Sequence, residues 1–311
     1  MSHQNPERII IAVDESRVLL QPVDRLLQIV GDAGSILIVP HNDPDPDAIA
    51  SAIGLRYLFA QRLGLETPVA YAGFIGRAEN KAMVRYLGRP LKQLAAADLR
   101  ESTHVALVDT QPGAGNNPLP AGRIPTIVVD HHSWREETRA AAFWEVRSDL
   151  GASSTIVTEY LQAMALEPPP WLATALFYGI KTDTMGLGRG ASMPDVAAYY
   201  YLQPLVDIEA LMEIERAQVP ASYFKSFVTA FQAARVFNSV VLSYIGTMSY
   251  PDQAAEIADL LSRLEGIQWV VCTGTYNGSL ILAVRSRSRR TGAGKLVHAV
   301  VGDQGMAGGH G

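Results

Sequence analysis

Four short stretches carry side chains that could do chemistry together. HNDPDPD (41–47) holds His41, Asp43, Asp45 and Asp47, and VALVDT (105–110) carries Asp109. TIVVDHH (126–132) ends on Asp130, His131 and His132, and GIKTDTMG (179–186) carries Asp183. Carboxylates this crowded repel one another, which raises their pKa values and costs stability unless a counter-charge is present. Divalent cations supply that charge. Oxygen and imidazole donors without thiolate suit Mn²⁺, Mg²⁺ or Co²⁺. Cys272 is the only cysteine, so neither an intrachain disulfide nor a cysteine-based zinc cluster is available. Taken singly, each stretch has an ordinary reading. HNDPDPD could be an Asp/Pro turn with Asp47 capping the next helix, and TDT a capping sequence. VALVDT could be a strand entering a turn, and DHH a helix cap beside surface histidines. What points to a site is their joint occurrence, each at the end of an apolar element.

The elements that must position these residues follow from the hydrophobic pattern. SILIVPH, VALVDT and PTIVVDHH are short apolar runs expected as buried strands. Helical spacing recurs in VDRLLQIVG (23–31), in the run after Asp47, in ASSTIVTEYLQAMAL and in WLATALFYGI, with Ser153 or Ser154 expected as a cap. Strands alternating with helices predict an α/β fold with a mainly parallel sheet flanked by helices. In such sheets sites gather at the carboxyl ends of the strands, so clusters far apart in sequence can meet. Breaks at Pro204 and Pro220 mark a helical junction. Beyond it, SVVLSYIG, the helical DQAAEIADLLSRLEG, and two strand-like runs joined by Asn277-Gly278 predict a smaller α/β lobe with a hairpin. The expected division is 1–215, a linker at 216–234, and 235–311.

The motif set resembles the DHH phosphoesterases, which include exonucleases, manganese pyrophosphatases and the oligoribonuclease/pAp-phosphatase subgroup, the last being the nearest. His41, Asp45 and Asp47 match the first motif, Asp109 the second, Asp130-His131-His132 the name motif, and Asp183 the fourth. The resemblance implies two divalent cations, Mn²⁺ foremost. One would be held by His41, Asp45 and Asp109, the other by Asp47, Asp109, His131 and Asp183, with Asp109 shared. Asp43 has no counterpart in the motif, and Pro46 stands where many members carry glycine, which stiffens the loop.

RSRSRRTGAGK (285–295) carries five basic residues and no acid. By itself it reads as a solvated hairpin edge or as a phosphate clamp, since arginine matches phosphate oxygens in a bidentate way. GMAGGHG by itself reads as a loose tail. The resemblance, to the substrate-binding lobe called DHHA1, assigns Arg285, Ser286, Gly308, Gly309 and His310 to the far end of a substrate across an interlobe cleft. GRAENKAM (76–83) reads as surface, although Arg77 and Asn80 could face that cleft.

The chain has 311 residues and a net charge of −5, so phosphate binding must be local. The N-terminus lacks a signal peptide's apolar core, and no run is long enough to span a membrane, so the cytoplasm is the expected compartment. The expected activity is a two-metal hydroxide attack on a phosphoester, with His132 contacting the phosphoryl oxygen or the leaving group and Asp130 beside it. Short oligoribonucleotides, the linear dinucleotides pApA and pGpG, and 3′-phosphoadenosine 5′-phosphate are the expected substrates. Manganese-dependent pyrophosphatase and a non-catalytic nucleotide sensor are the alternatives. The sequence is compatible with a homodimer and does not demand one.

Overall fold

The computed structural model describes residues 15–287 and Val297. Gly308, Gly309, His310, Arg289, Arg290 and Lys295 lie outside the described residues.

The first lobe opens with α1 (Glu15–Ala33), β1 (Leu37–Pro40), α2 (Pro46–Leu63), β2 (Val69–Tyr71), α3 (Ala78–Tyr86), β3 (Leu91–Gln93), α4 (Ala96–Glu101) and β4 (Val105–Val108). It continues with β5 (Ile127–Asp130), β6 (Phe143–Val146), α5 (Ser153–Ala163), α6 (Pro170–Asp183), α7 (Met193–Leu202) and α8 (Ile208–Glu215). The six strands form one sheet in the order β3-β2-β1-β4-β5-β6, parallel throughout. β1, β4 and β5 are buried at every position. That is why they read as unbroken apolar runs rather than alternating ones. β2, β3 and β6 were not expected from the sequence, because three- and four-residue strands with half-exposed positions leave little pattern. The strands are added outward from β1 in one direction (β2, β3) and from β4 in the other (β5, β6), so the loops after β1 and β4 diverge and leave a crevice.

α2 carries its own start and stop signals. Asp45, not Asp47, is the N-cap: its Oδ1 accepts from Ala48 N at 3.0 Å. Pro46 follows at the first helical position, where its missing N–H costs nothing. Gly64 ends the helix in the left-handed region at φ 66°. α2 packs on α5 and α6, and the resulting core includes Ile49, Ile53, Leu55, Leu58, Phe59, Val157 and Leu176. α1 begins earlier than the periodicity suggested, running through Pro22 from Glu15.

The second lobe comprises α9 (Ala221–Ala233), β7 (Arg235–Phe237), β8 (Val240–Thr247), α10 (Gln253–Leu261), β9 (Trp269–Tyr276) and β10 (Ser279–Ser286). Its sheet runs β10-β9-β8-β7, with β8 and β9 parallel and the outer pairs antiparallel. The β9–β10 hairpin turns at Asn277 and Gly278, both at positive φ, as the Asn-Gly signal requires. A separate core, with Val241, Ile245, Ile257, Val270 and Cys272, lies under α9 and α10. Among the described residues no helix is long and apolar enough to cross a membrane.

Candidate metal centre

The carboxyl ends of β1, β4 and β5 deliver the candidate residues to one place. His41 follows β1 directly, Asp109 follows β4, and Asp130 closes β5 with His131 and His132 next. Asp47 lies in the first turn of α2, and Asp183 is the last residue of α6. Three groups of side chains place ligand atoms within 4.8 Å of one another: His41, Asp45 and Asp109; Asp47, His131 and Asp183; and Asp109, His131 and His132.

Asp109 stands between them. His41 Nε2 is 3.5 Å from Asp109 Oδ2, whereas His131 Nε2 is 3.4 Å and His132 Nδ1 3.7 Å from Oδ1. The residue sits at φ 58°, a left-handed conformation that Asp tolerates better than most side chains. Its N–H donates to Val129 O at 2.8 Å, and Ser153 Oγ donates to Oδ1 at 2.8 Å. Both contacts hold the carboxylate at the crevice.

The two inner histidines are oriented by the backbone. His41 Nδ1 lies 2.7 Å from Asn42 O, and His131 Nδ1 lies 3.2 Å from Leu150 O. A ring held this way donates from Nδ1 and turns Nε2 into a lone-pair donor, the usual arrangement of a metal-binding imidazole. His131 Nε2 is buried and makes no hydrogen bond, although Asp183 Oδ2 is only 3.5 Å away. Two atoms bonded to a common ion at about 2.0–2.2 Å stand roughly 3.0–3.6 Å apart. The contacts of His41 and His131 with Asp109 and Asp183 fall in that range. An orphaned imidazole nitrogen among carboxylates at ligand spacing is a donor set that fits a divalent cation.

Electrostatics agree with the crowding. Asp47 and Asp109 are 0% and 1% exposed. Burial, then the charges of Asp109 and Asp183, push the Asp47 carboxyl well above the carboxylate range. Asp183 is pushed up to about 6, by burial first and Asp45 next. Burial works to lower His41, but its contacts with Asp45 and the charge of Asp109 outweigh it and bring the imidazole up to about 10. Burial likewise opposes the charge on His131, and Asp183, Asp109 and Asp47 together raise it. The carboxylates thus favour the charged form of both imidazoles.

Other expected residues have structural partners. Ser153 and Ser154 are not caps: Ala152 is at the N-cap of α5, and the Ser153 and Ser154 N–H groups donate to Asp47 Oδ2 and Oδ1 at 2.7 and 2.8 Å. A carboxylate from α2 therefore satisfies the start of α5. Asp43 Oδ1 accepts from Phe74 N at 2.6 Å, tying the Asp-rich loop to the segment after β2. Asp130 accepts from His132 Nδ1 at 2.8 Å, from His131 N at 2.9 Å and from Gln111 Nε2 at 2.7 Å. Burial would raise its carboxyl, but the His132 hydrogen bond and charge, then Gln111, hold it below the ordinary range. Gln111 carries no motif signal. It is found only through its buried amide, whose Oε1 accepts from Arg135 N and Thr138 Oγ1, both at 2.9 Å. Asn80, read as surface from the sequence, is buried, and Arg77 beside it faces the second lobe. Arg285 lies on β10 and is ion-paired with Asp259; Ser286 closes the same strand.

Residues 35–180 match the model of the DHH family, N-terminal domain. An uncharacterized protein of Methanocaldococcus jannaschii is 35% identical over 273 residues, covering 87% of this chain and 56% of that protein. A probable manganese-dependent inorganic pyrophosphatase of Lactobacillus gasseri is 28% identical over 150 residues, 48% of this chain and 47% of the relative. The chain thus spans about half the length of the curated relatives it matches. The crystal structure of an exopolyphosphatase-related protein from Bacteroides fragilis superposes with a TM-score of 0.72 at 14% identity, covering 89% of this chain and 86% of the other. That likeness is one of fold.

Proposed function

We propose, from the match of residues 35–180 to the N-terminal domain of the DHH family, that the chain is a metal-dependent phosphoesterase with a dinuclear centre. The observation that carries this reading is the meeting of His41, Asp45, Asp47, Asp109, His131 and Asp183 in overlapping groups around a buried imidazole nitrogen that lacks a hydrogen bond. His41, Asp45 and Asp109 would hold one cation, and Asp47, Asp109, His131 and Asp183 the other. Bound there, divalent cations supply charge opposite the phosphoryl oxygens and a water acidic enough to ionise near neutral pH. His132 acts beside them. Asp130 holds its Nδ1, and Gln111 holds Asp130, so the ring keeps one orientation and proton transfer falls to Nε2. His132 is raised toward the charged form: burial opposes this, but Asp130 and Asp109 outweigh it. A protonated Nε2 suits contact with a phosphoryl oxygen or a leaving oxygen.

For the substrate we favour a nucleotide with two phosphate groups, such as a short oligoribonucleotide, pApA, pGpG or 3′-phosphoadenosine 5′-phosphate. The support is Arg285 on β10 of a second lobe that packs beside the centre. The name of the Lactobacillus relative favours pyrophosphate as a second reading, over the half of the chain it matches. One panel with Mn²⁺ separates them: pApA, pGpG, a pentaribonucleotide, 3′-phosphoadenosine 5′-phosphate and pyrophosphate. Release from the nucleotides and not from pyrophosphate is expected. Nucleotide binding without release from any of the five would replace the enzyme with a sensor.

Cation binding must displace protons. The surrounding carboxylates bring His41 up to about 10 and shift His131 in the same direction, favouring the charged forms, and a cation requires both neutral. Affinity therefore rises with pH, and it drops further as pH falls through about 6, where Asp183 takes up a proton. At about pH 7.5, Mn²⁺ at a hundred times its Kd is expected to raise Tm by roughly 5–10 °C, and by much less near pH 5.5. Calorimetric heats should vary with the buffer's ionisation enthalpy. Buffer-independent heats would mean that no protons leave and that the imidazoles are already neutral before the cation binds.

A further inference from the structure

One face of α10 lies against the first lobe. Asp252, Glu256 and Asp259 recur at intervals of four and three residues, which lines them along one side of the helix. The charges of all three act on Arg77, which precedes α3, and Arg77 Nη2 is 3.7 Å from Asp259 Oδ2. The backbone approaches closely here. A methyl at Gly76 would lie 2.6 Å from Tyr250 Cδ2, and Phe74 stacks on Tyr250 with ring centroids 6.5 Å apart. The same segment is tied to the Asp-rich loop, through Phe74 N to Asp43 Oδ1 at 2.6 Å and Asn80 Nδ2 to Pro44 O at 3.5 Å.

Asp259 has a second arginine. Arg285 Nε and Nη2 donate to its two carboxylate oxygens, the Nη2 contact at 3.4 Å, and Nη1 donates to Val284 O at 3.2 Å. Three of the five guanidinium N–H groups are thereby used. The two left over, one on each Nη, form the end-on edge, a fork that matches two phosphate oxygens. An arginine already held in one rotamer loses less freedom on binding than a loose one.

We propose that Asp259 and Arg77 are positioning residues. Asp259 grips the side edge of Arg285, and Arg77 holds Asp259 from the other lobe. The end-on edge of Arg285 is then presented to the substrate's second phosphate at a distance set from the metal centre through segment 74–80. This inference rests on the phosphoesterase reading for its substrate, and it names which phosphate the second lobe takes.

The test uses the full chain with Mn²⁺ and two substrates. One is a 5′-phosphorylated linear dinucleotide, and the other is bis(p-nitrophenyl) phosphate, which has a single phosphorus. Asp259→Asn and Arg77→Ala should each lower the ratio of kcat/KM for the first over the second by about tenfold. Arg77→Lys, which keeps the charge, should recover part of the loss. An unchanged ratio overturns the proposal. So does a rise in Asp259→Asn, which would make Asp259 a competitor of phosphate. Calorimetric Kd for 3′-phosphoadenosine 5′-phosphate provides a readout without turnover and should weaken about tenfold in both variants; an unchanged Kd also overturns the idea. If wild-type protein cleaves neither substrate yet the Kd shift is seen, the activity reading fails while the positioning role stands.

Discussion

Asp109→Asn is expected to lower Mn²⁺-dependent hydrolysis by about a thousandfold or more, equivalent to roughly 4 kcal/mol of barrier, while the chain stays folded. The two oxygens of Asp109 face different histidines, Oδ2 toward His41 and Oδ1 toward His131. Removing its charge therefore weakens both proposed cation sites at once, whereas a change at Asp45 or Asp183 touches one. Asn is a better probe than Ala. The position sits at φ 58°, where Asn is tolerated and Ala is strained. The amide can also keep a hydrogen bond with Ser153 Oγ, now 2.8 Å from Oδ1. Metal-free stability should change little, because losing the Asp109 charge relieves the Asp47 carboxyl but also removes a counter-charge from His41, His131 and His132. The paired result is thus a near-unchanged metal-free Tm with a lost Mn²⁺ shift. Hydrolysis near the wild-type rate would remove Asp109 from the centre.

The parts of the centre legible in the sequence were those that obey a local rule. β1, β4 and β5 are buried on both faces, so they appear as apolar runs, and the polar residue after each run marks a strand end. What stayed hidden depends on partners remote in sequence. The start of α5 looked self-capped by serine, but its N–H groups are taken by Asp47, 106 and 107 residues away. Gln111 reads as one more polar turn residue, because the carboxylate it holds belongs to the next strand. Arg285 was legible as an arginine on a strand, while Asp259, which grips it, lies in a helix whose acids look like ordinary surface charge. Arg77 reads as surface for the same reason: Asp259, its partner on the other lobe, lies 182 residues later. Local pattern names the elements and the donors they carry. Which donor is a ligand, a brace or a cap is decided by tertiary neighbours.

Gly179→Ala should damage both stability and cation binding without altering any proposed ligand. Gly179 lies in α6, where this helix crosses α2. A methyl there would sit 2.5 Å from Ser154 Oγ and 3.1 Å from both Cα and Oδ1 of Asp47. Helix propensity alone predicts the opposite, a gain of about 0.5–1 kcal/mol for replacing an interior glycine. Overpacking typically costs about 1–3 kcal/mol. The nearest atom, Ser154 Oγ, can rotate aside, but Asp47 Cα belongs to the backbone of α2 and cannot, so the cost wins. A net loss of about 1–2 kcal/mol corresponds to a Tm roughly 3–6 °C lower in a lobe of this size. Because the displaced atoms include Asp47 Oδ1, Mn²⁺ affinity should fall about 10–100-fold, the range expected when a ligand's support is disturbed. Gly179→Val should be worse on both counts. The two readouts must move together, since one displacement causes both. An Ala variant that is more stable than wild type and binds Mn²⁺ equally well would show that α2 can yield at Asp47. The carboxylate would then be placed by the N–H groups of Ser153 and Ser154 rather than by the tight crossing of α2 and α6.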